Sequence, residues 1–237
     1  GTGNNSVVDD ADATSVTLTA NAANVTEGGS IVYTATVGSP VTGSPLVITL
    51  TGGTTITIPV GASSANSAPV AVRADDAYTQ GTEVVTRGIT GTSGGNYEAL
   101  TTSSTVSVNV TDDADATTVT LSSATNGNAI TEGGSIVYTA TVGAPVAGSP
   151  LLVTLSNGAT ITIPVGSSSA NSAPVAVRAD DVYVQGSQTL TAVTISSTSG
   201  GNFEALTTSG TVNNTVVDDT DATSVTLTAN AANVTEG

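Results

Sequence analysis

The sequence predicts an all-β fold of tandem immunoglobulin-like β-sandwich domains joined end to end. Apolar residues alternate with Thr and Ser at a period of two, which is typical of half-buried strands. Gly, Pro, Asn and Asp separate these segments, and no stretch has helical periodicity. Long blocks of sequence also return after about 105 residues, which indicates a tandem array.

Each repeat is expected to hold one sandwich. In the first repeat we predict strands at 15–20, 30–37, 46–50, 54–60, 68–73, 84–90 and 105–111. This number of short strands fits an immunoglobulin-like sandwich without the cysteine pair and tryptophan of antibody domains. The residues expected to face inward are Val16, Leu18, Ala20, Ile31, Tyr33, Ala35, Val37, Leu46, Ile48, Leu50, Ile56, Ile58, Val60, Val70, Val72, Val106, Val108 and Val110.

The repeats are nearly identical, and they set the predicted domain boundaries. TEGGSIVYTATVG at 26–38 returns unchanged at 131–143, and residues 12–28 return letter for letter at 221–237. We therefore expect a last-strand remnant of a preceding repeat at 1–8 and a first-strand remnant of a following repeat at 218–237. Between them lie two immunoglobulin-like repeats, at 9–111 and 112–217.

The composition excludes several classes of function. A net charge of -16 argues against nucleic acid and anionic membranes as partners, and no apolar run is long enough to insert into a membrane. The absence of Cys, His and Lys removes thiol catalysis, zinc-thiolate sites and a base for a nucleophilic Ser or Thr. Paired carboxylates could hydrolyse glycosides, but no aromatic-lined cleft is available to hold a sugar. We therefore predict that the protein is not an enzyme.

The acidic residues are concentrated in short motifs. Of the 19 acidic residues, only Glu83 lies outside them. The motifs are Asp-Asp-x-Asp, Thr-Glu-Gly, Ala-Asp-Asp and Gly-Gly-Asn-aromatic-Glu. The candidate ligands are Asp9, Asp10, Asp12, Glu27, Asp75, Asp76, Glu98, Asp112, Asp113, Asp115, Glu132, Asp180, Asp181, Glu204, Asp218, Asp219 and Asp221.

Strand counting brings these motifs together at the junction between repeats. Successive strands run in opposite directions. The Thr-Glu-Gly, Ala-Asp-Asp and second Asp-Asp-x-Asp motifs should therefore all lie at the end of the first repeat where its last strand finishes. Asn202 and Glu204 lie in the loop between the last two predicted strands of the second repeat, at the end where its first strand begins. They should therefore face the same junction from the other side. The first junction would then gather Glu27, Asp75, Asp76, Asp112, Asp113, Asp115 and Glu204.

Such a junction requires a cation, and its chemistry favours Ca²⁺. Two unit charges about 4 Å apart repel by roughly 4 kcal/mol at the effective dielectric constant of a protein surface. Ca²⁺ takes six to eight oxygen ligands from flexible loops, whereas Mg²⁺ retains more water. The alternative is that the acids decorate turns and keep the array soluble. The outward strand positions are Thr, Ser and Asn, however, so charge is not spread for solubility.

Two further features leave alternatives open. Arg73 and Arg178 precede the Asp pairs, and each either braces a carboxylate or forms a partly solvated surface pair. Thr-rich strands could form a flat face that binds ice or a glycan, although Thr is an ordinary outward strand residue.

Four segments resemble one protein family. VTEGGSIVYTATV, VAVRADD, GGNYEAL and VNVTDDADAT are similar to the bacterial immunoglobulin-like extender repeats of giant RTX adhesins. The resemblance implies a type I-secreted protein of the bacterial cell surface, with calcium-stiffened repeats that contact identical neighbours in the same chain. It also implies that other regions bind the distal ligand, which would be ice, a glycan or another surface.

Overall fold

The computed structural model describes residues 6, 8, 10–230, 232–233 and 235–237. This part of the chain contains strands and no helix, so the predicted all-β fold class is confirmed. The chain divides into two compact units, Gly1–Ala114 and Asp115–Gly237, called unit 1 and unit 2 below.

Unit 1 is a sandwich of two main sheets. One sheet has the strand order β10-β1-β4-β7, the other has the order β2-β11-β9-β5-β6, and β3 pairs separately with β8. The strands are β1 (Ala13–Ala20), β2 (Asn24–Thr26), β3 (Ser30–Ile31), β4 (Tyr33–Val37), β5 (Leu46–Leu50), β6 (Thr55–Ile58), β7 (Ser64–Asn66), β8 (Val70–Ala71), β9 (Glu83–Ser93), β10 (Ala99–Thr101) and β11 (Thr105–Thr111).

The core of unit 1 follows the alternation of the sequence. Val16 and Leu18 in β1 and the inward positions of β4, β5 and β6 are buried, whereas Ala20, Val70, Val72 and Val106 are half-buried. The prediction for Val60 was wrong, because its side chain is 52% exposed. Strand β6 ends at Ile58, and the amide of Ala62 then bonds the Pro59 carbonyl in a turn that carries Val60 out of the sheet.

Unit 2 repeats this architecture with a more broken sheet. Where unit 1 has the continuous β9, unit 2 has two shorter strands, and the bridge between Val193 and Val212 lies between them. The strands are β12 (Ala116–Ser122), β13 (Ala129–Thr131), β14 (Ser135–Ile136), β15 (Thr139–Val142), β16 (Leu151–Leu155), β17 (Thr160–Ile163), β18 (Ser169–Asn171), β19 (Val175–Ala176), β20 (Gln188–Thr189), β21 (Ile195–Ser199), β22 (Ala205–Ser209) and β23 (Thr215–Val217).

Each unit has two ends, which we name by the direction of its first strand. The amino end is where β1 or β12 begins, and the carboxyl end is where β11 or β23 finishes. Strand β1 runs parallel to β10, and β2 runs parallel to β11. The loops after β2 and β8 therefore lie at the carboxyl end of unit 1, beside the residues that follow β11.

Candidate metal centre

Each unit gathers carboxylates at its carboxyl end. We call these groups the carboxyl-end clusters, Glu27, Asp75 and Asp113 in unit 1 and Glu132, Asp180, Asp219 and Asp221 in unit 2. Within each cluster, one carboxylate oxygen from every member lies within 4.8 Å of those of the other members. Three separate loops thus supply oxygen atoms to one small volume in each unit.

Glycine in the Thr-Glu-Gly motif allows this approach. Gly28 has φ +70, and a Cβ there would lie 2.9 Å from the Cβ of Asp75. Its amide donates to the Arg73 carbonyl at 2.8 Å, while the Glu27 amide donates to the Thr111 carbonyl at 3.0 Å. The ends of three strands are consequently fixed to one another by main-chain bonds. Gly133 occupies the equivalent position in unit 2, with φ +72.

The glutamate of each cluster is buried, and only one of its two carboxylate oxygens accepts a hydrogen bond from the described residues. The side chain of Glu27 is 0% exposed, and its Oε2 accepts a hydrogen bond of 2.6 Å from Arg73 Nε. The other oxygen, Oε1, is buried and has no hydrogen-bond partner among the described residues. Glu132 repeats the arrangement, with a bond of 2.7 Å from Arg178 Nε and a buried Oε1 that the described chain leaves unpartnered. A buried carboxylate oxygen without a donor is costly, so a cation is the natural complement.

The arginines brace carboxylates, the first of the two alternatives left open by the sequence. Arg73 Nη2 also lies 3.1 Å from Asp112 Oδ1, and Arg178 Nη2 lies 3.7 Å from Asp218 Oδ1. Hydrogen bonding to Glu27 is the largest cause of a raised pKa for Arg73, which therefore stays fully charged. Each arginine thus neutralises part of its cluster from one side.

The second aspartate of each Ala-Asp-Asp motif is turned into its own loop. Asp76 accepts bonds from the Tyr78 amide at 2.8 Å and from Gln80 Nε2 at 2.5 Å. Asp181 accepts equivalent bonds from the Tyr183 amide and Gln185 Nε2. These predicted ligands therefore brace the loop that carries Asp75 or Asp180, and they are outside the two carboxyl-end clusters.

The same glutamine also orients the aspartate that follows the last strand. The Gln80 amide donates to Asp112 Oδ2 at 2.7 Å, and the Gln185 amide donates to Asp218 Oδ2 at 3.0 Å. The glutamines were not singled out from the sequence. Their only signal was retention of the Tyr-x-Gln-Gly pattern in both repeats.

The remaining predicted ligands lie at the amino ends. Glu98 accepts a hydrogen bond of 2.5 Å from the Asp12 amide, beside the first pair of β1 and β10. Glu204 accepts the equivalent bond from the Asp115 amide in unit 2. Asp10 is exposed, and Asp9 lies outside the described residues. The structure thus separates Glu98 and Glu204 from the carboxyl-end cluster of their own unit.

Two acids in the unit 2 cluster hold their protons more tightly than usual. Burial raises the pKa of Glu132 above its ordinary value of 4.5, and Asp218 adds to the rise while Arg178 opposes it. Partial loss of hydration also raises the pKa of Asp221 above 3.8 although the residue is exposed, and the nearby carboxylates of Asp180, Asp219, Asp218 and Asp181 add to the rise. Both shifts therefore oppose ionisation of these two acids in the folded unit.

These shifts predict two effects of raising the pH. In chelator the melting temperature of unit 2 should fall, whereas the increase in melting temperature that Ca²⁺ produces should become larger. Because the folded pKa values are raised, their stabilising contribution is complete below the unfolded values near 4 and is lost as pH rises through the folded values. In chelator, the melting temperature of unit 2 should therefore be higher at pH 5 than at pH 7. Protons would compete with a Ca²⁺ ion for these carboxylates, so any increase in melting temperature that Ca²⁺ produces should be smaller at pH 5.

Thermal melts at both pH values, with and without chelator, measure this effect. Glu132→Gln is the control, since it removes the share of the pH dependence that belongs to Glu132. A chelated protein whose unit 2 is equally stable at pH 5 and pH 7 would contradict the prediction.

Comparison with known proteins identifies the family. A family model described as the LapA domain matches residues 12–113 and, separately, residues 115–220. The chain belongs to the LapA domain family. The resemblance to adhesin repeats is thereby confirmed, and each LapA domain coincides with one compact unit. Membership implies a repeat of a large adhesion protein, located at the cell surface or outside the cell.

The other comparisons add little beyond this match. A solved structure described as a tetra-tandem repeat in the extending region of a large adhesion protein aligns with 86% of this chain, at 19% identity and a TM-score of 0.37. The chain spans 49% of that structure's chain. A search of curated proteins gave no match. In the described part of the chain, no helix has the length and hydropathy needed to cross a membrane.

Proposed function

We propose that this LapA domain pair is a non-enzymatic extender segment of a bacterial cell-surface adhesin, with Ca²⁺ bound at its carboxyl-end clusters. The observation that carries the calcium part is the buried, half-satisfied glutamate of each cluster. Glu27 and Glu132 each direct one oxygen to a buried position without a hydrogen-bond donor in the described chain. Carboxylates from two other loops supply oxygens within 4.8 Å.

The donor set fits Ca²⁺ better than other common metals. Every candidate side-chain ligand is a hard carboxylate oxygen, and the chain has no His or Cys for softer ions. Three or four carboxylates from loops, completed by main-chain carbonyls or water, match the six to eight ligands that Ca²⁺ takes. Mg²⁺ is bound through fewer carboxylates, because it retains its own water.

The bound ion would act mainly by removing repulsion. Each cluster has only one arginine to balance its carboxylates. Ca²⁺ would add two positive charges and hold the loops after β2, β8 and β11 in one arrangement. Asp113 and Asp219 lie in the segments that follow β11 and β23, so their ligation would also restrict the chain as it leaves each unit. An extender stiffened in this way would project a ligand-binding region that lies elsewhere in the adhesin.

Chelation is expected to lower the melting temperature and shorten the chain in solution. An ion at 100 times its dissociation constant stabilises the folded state by about 2.7 kcal/mol. Calorimetric titration should show Ca²⁺ uptake, and X-ray scattering should show a smaller maximum dimension in chelator. Concentrated NaCl is the control, because it screens repulsion without occupying a specific site. Absence of Ca²⁺ uptake at millimolar concentration, or full rescue by NaCl, would overturn the proposal.

The Thr-rich outer faces supply a second candidate function, direct adhesion to ice or a glycan. In unit 2 one row of hydroxyls crosses four strands, formed by Ser209, Thr120, Thr141 and Ser169. Several hydroxyls on these faces bond each other, as Thr120 and Ser209 do at 3.0 Å. Cross-strand bonding of this kind stabilises a sheet, so we favour the extender. Thermal hysteresis or glycan binding by the isolated pair would favour the adhesive alternative.

A further inference from the structure

Asparagine precedes glycine at two places in the chain, at Asn126 before Gly127 and at Asn157 before Gly158, and both lie in unit 2. In this dipeptide the glycine nitrogen has no side chain beside it, so it can attack Cγ of the asparagine. That attack is the first step of spontaneous deamidation. The hairpin of unit 1 that corresponds to the second place has Gly52 instead of Asn157, so it has no side-chain amide to lose.

The side chain of Asn157 is held in a position that favours this reaction. It is exposed in the turn between β16 and β17, and its Oδ1 accepts a hydrogen bond of 3.1 Å from the Ala159 amide, two residues along the chain. A bond of this kind keeps Cγ close to the nitrogen of the intervening Gly158, and the donor polarises the carbonyl group. Nδ2, the atom that must leave, donates to the Tyr138 hydroxyl at 3.2 Å. The carbonyl carbon is therefore fixed beside its nucleophile.

The nucleophile at this place is held only by its own turn. The Gly158 amide donates to the Leu155 carbonyl at 2.9 Å. Gly158 is exposed, and even an added Cβ would meet no atom within 4 Å, so nothing packs over the reacting nitrogen. Opening of an exposed hairpin turn costs far less free energy than unfolding of the unit, so the amide can be released while the unit stays folded.

Asn126 is held in the opposite manner, although it is also exposed. Its Oδ1 accepts a hydrogen bond of 2.8 Å from the Asn213 amide, and its Nδ2 donates to the Thr211 carbonyl at 3.3 Å. The nucleophile, the Gly127 amide, donates to the Asn213 carbonyl at 2.7 Å. Both reacting groups are thus tied to a segment that is distant in sequence. Several bonds must open together before they can react.

We propose that Asn157 is a site of spontaneous deamidation in the folded protein, and that the fold protects Asn126. The Gly158 nitrogen forms a bond to Asn157 Cγ, the bond from Cγ to Nδ2 breaks, and ammonia leaves with the proton that the Gly158 nitrogen gives up. Water then opens the cyclic imide to aspartate or isoaspartate. The site goes beyond the extender function, and it requires no bound cation, so the failure of one proposal leaves the other intact.

Conversion at Asn157 would change unit 2 as the protein ages and leave the hairpin of unit 1 as it is. Isoaspartate takes the main chain through the side-chain carbons, which adds an extra atom to the turn. That turn is closed by the bond from the Leu155 amide to the Ala159 carbonyl at 2.8 Å, next to the pairing of Thr154 with Thr160. The lengthened turn no longer fits this register. The melting temperature of unit 2 should therefore fall as its isoaspartate content rises.

Ageing of the full chain in mildly alkaline buffer tests the site, with peptide mapping by a fragmentation method that separates aspartate from isoaspartate. In the folded chain, Asn157 should convert at least about tenfold faster than Asn126, because the bonds that tie Asn126 and Gly127 to a distant segment must open first. In concentrated guanidinium chloride the two rates should be similar, since both dipeptides are then free of the fold. If folding does not raise the ratio of the two rates, or if Asn157 stays intact in the folded chain while it converts in denaturant, the proposal is overturned.

Two variants provide matched controls for the aged chain. Asn157→Gly gives unit 2 the residue that unit 1 has at Gly52, so the melting temperature of its unit 2 should not fall on ageing. Gly158→Ala places a Cβ beside the attacking nitrogen and should slow conversion of Asn157 several-fold without changing that of Asn126. An equal loss of melting temperature in aged Asn157→Gly, or an unchanged rate at Asn157 in Gly158→Ala, would count against the proposed site.

Discussion

Glu27→Gln is expected to weaken Ca²⁺ binding at the unit 1 cluster by at least about 100-fold, because metal ligands contribute more than the outer residues whose loss costs 10- to 100-fold. The amide keeps the size of the side chain but removes the charge. The Arg73 bond to Oε2 is weakened at the same time. Isothermal titration calorimetry should show one fewer tight site, while the unit 2 cluster still binds.

Glu83→Gln is a suitable control for this substitution. It removes the same charge from unit 1 and follows the chain's own second repeat, which has Gln188 at the equivalent position. Its Ca²⁺ affinity should match that of the unmodified chain. Glu132→Gln should reproduce the loss in unit 2. If Glu27→Gln and Glu83→Gln bind Ca²⁺ with equal affinity and stoichiometry, the buried glutamate is not a ligand.

Gly94→Ala is expected to destabilise unit 1 by about 3 kcal/mol or more, a cost at the upper end of those found for single substitutions. Gly94 has φ +77, and an added Cβ would lie 2.1 Å from the carbonyl oxygen of Pro45. Relieving that contact must move the loop that leads to Glu98 and β10. For a unit of about 100 residues, the melting temperature should fall by more than about 12 °C.

Gly61→Ala separates the clash from the cost of the backbone conformation. Gly61 has φ +88, but an added Cβ there meets no atom within 4 Å. It should cost only about 1 to 2 kcal/mol, the penalty for a left-handed residue with a side chain. Gly200→Ala should reproduce the larger effect in unit 2, where the Cβ would lie 2.3 Å from the Pro150 carbonyl oxygen. Similar melting temperatures for Gly94→Ala and Gly61→Ala would contradict the prediction.

Strand positions and most of the core could be predicted from the sequence because they depend on local alternation. Val16, Leu18 and Ile48 alternate with polar residues, and all three are buried. Strands β2 and β10 were not predicted, because each has three residues and pairs with a parallel partner distant in sequence. The prediction for Val60 was wrong for another reason. Alternation of apolar and polar residues continues past Ile58, and it does not show that the strand ends there, before Pro59.

The candidate site could be predicted only at the level of motifs. Strand direction was enough to place Glu27, Asp75 and Asp113 at one end of unit 1, where the structure has them. It could not distinguish Asp75 from its neighbour Asp76, because that choice depends on bonds from Tyr78 and Gln80 in the folded loop. Full burial of Glu27 was equally invisible, because it depends on packing between loops that are far apart in sequence.

Each carboxyl-end cluster draws all its members from a single unit, and this has a consequence for how such arrays change in length. Long blocks of sequence return after about 105 residues, so a gain or loss of one whole period keeps all the acidic motifs in register. Such a change carries a complete cluster, arginine included, with every unit gained or lost. The number of units can therefore change in whole steps, and every unit keeps its own arginine beside its buried glutamate.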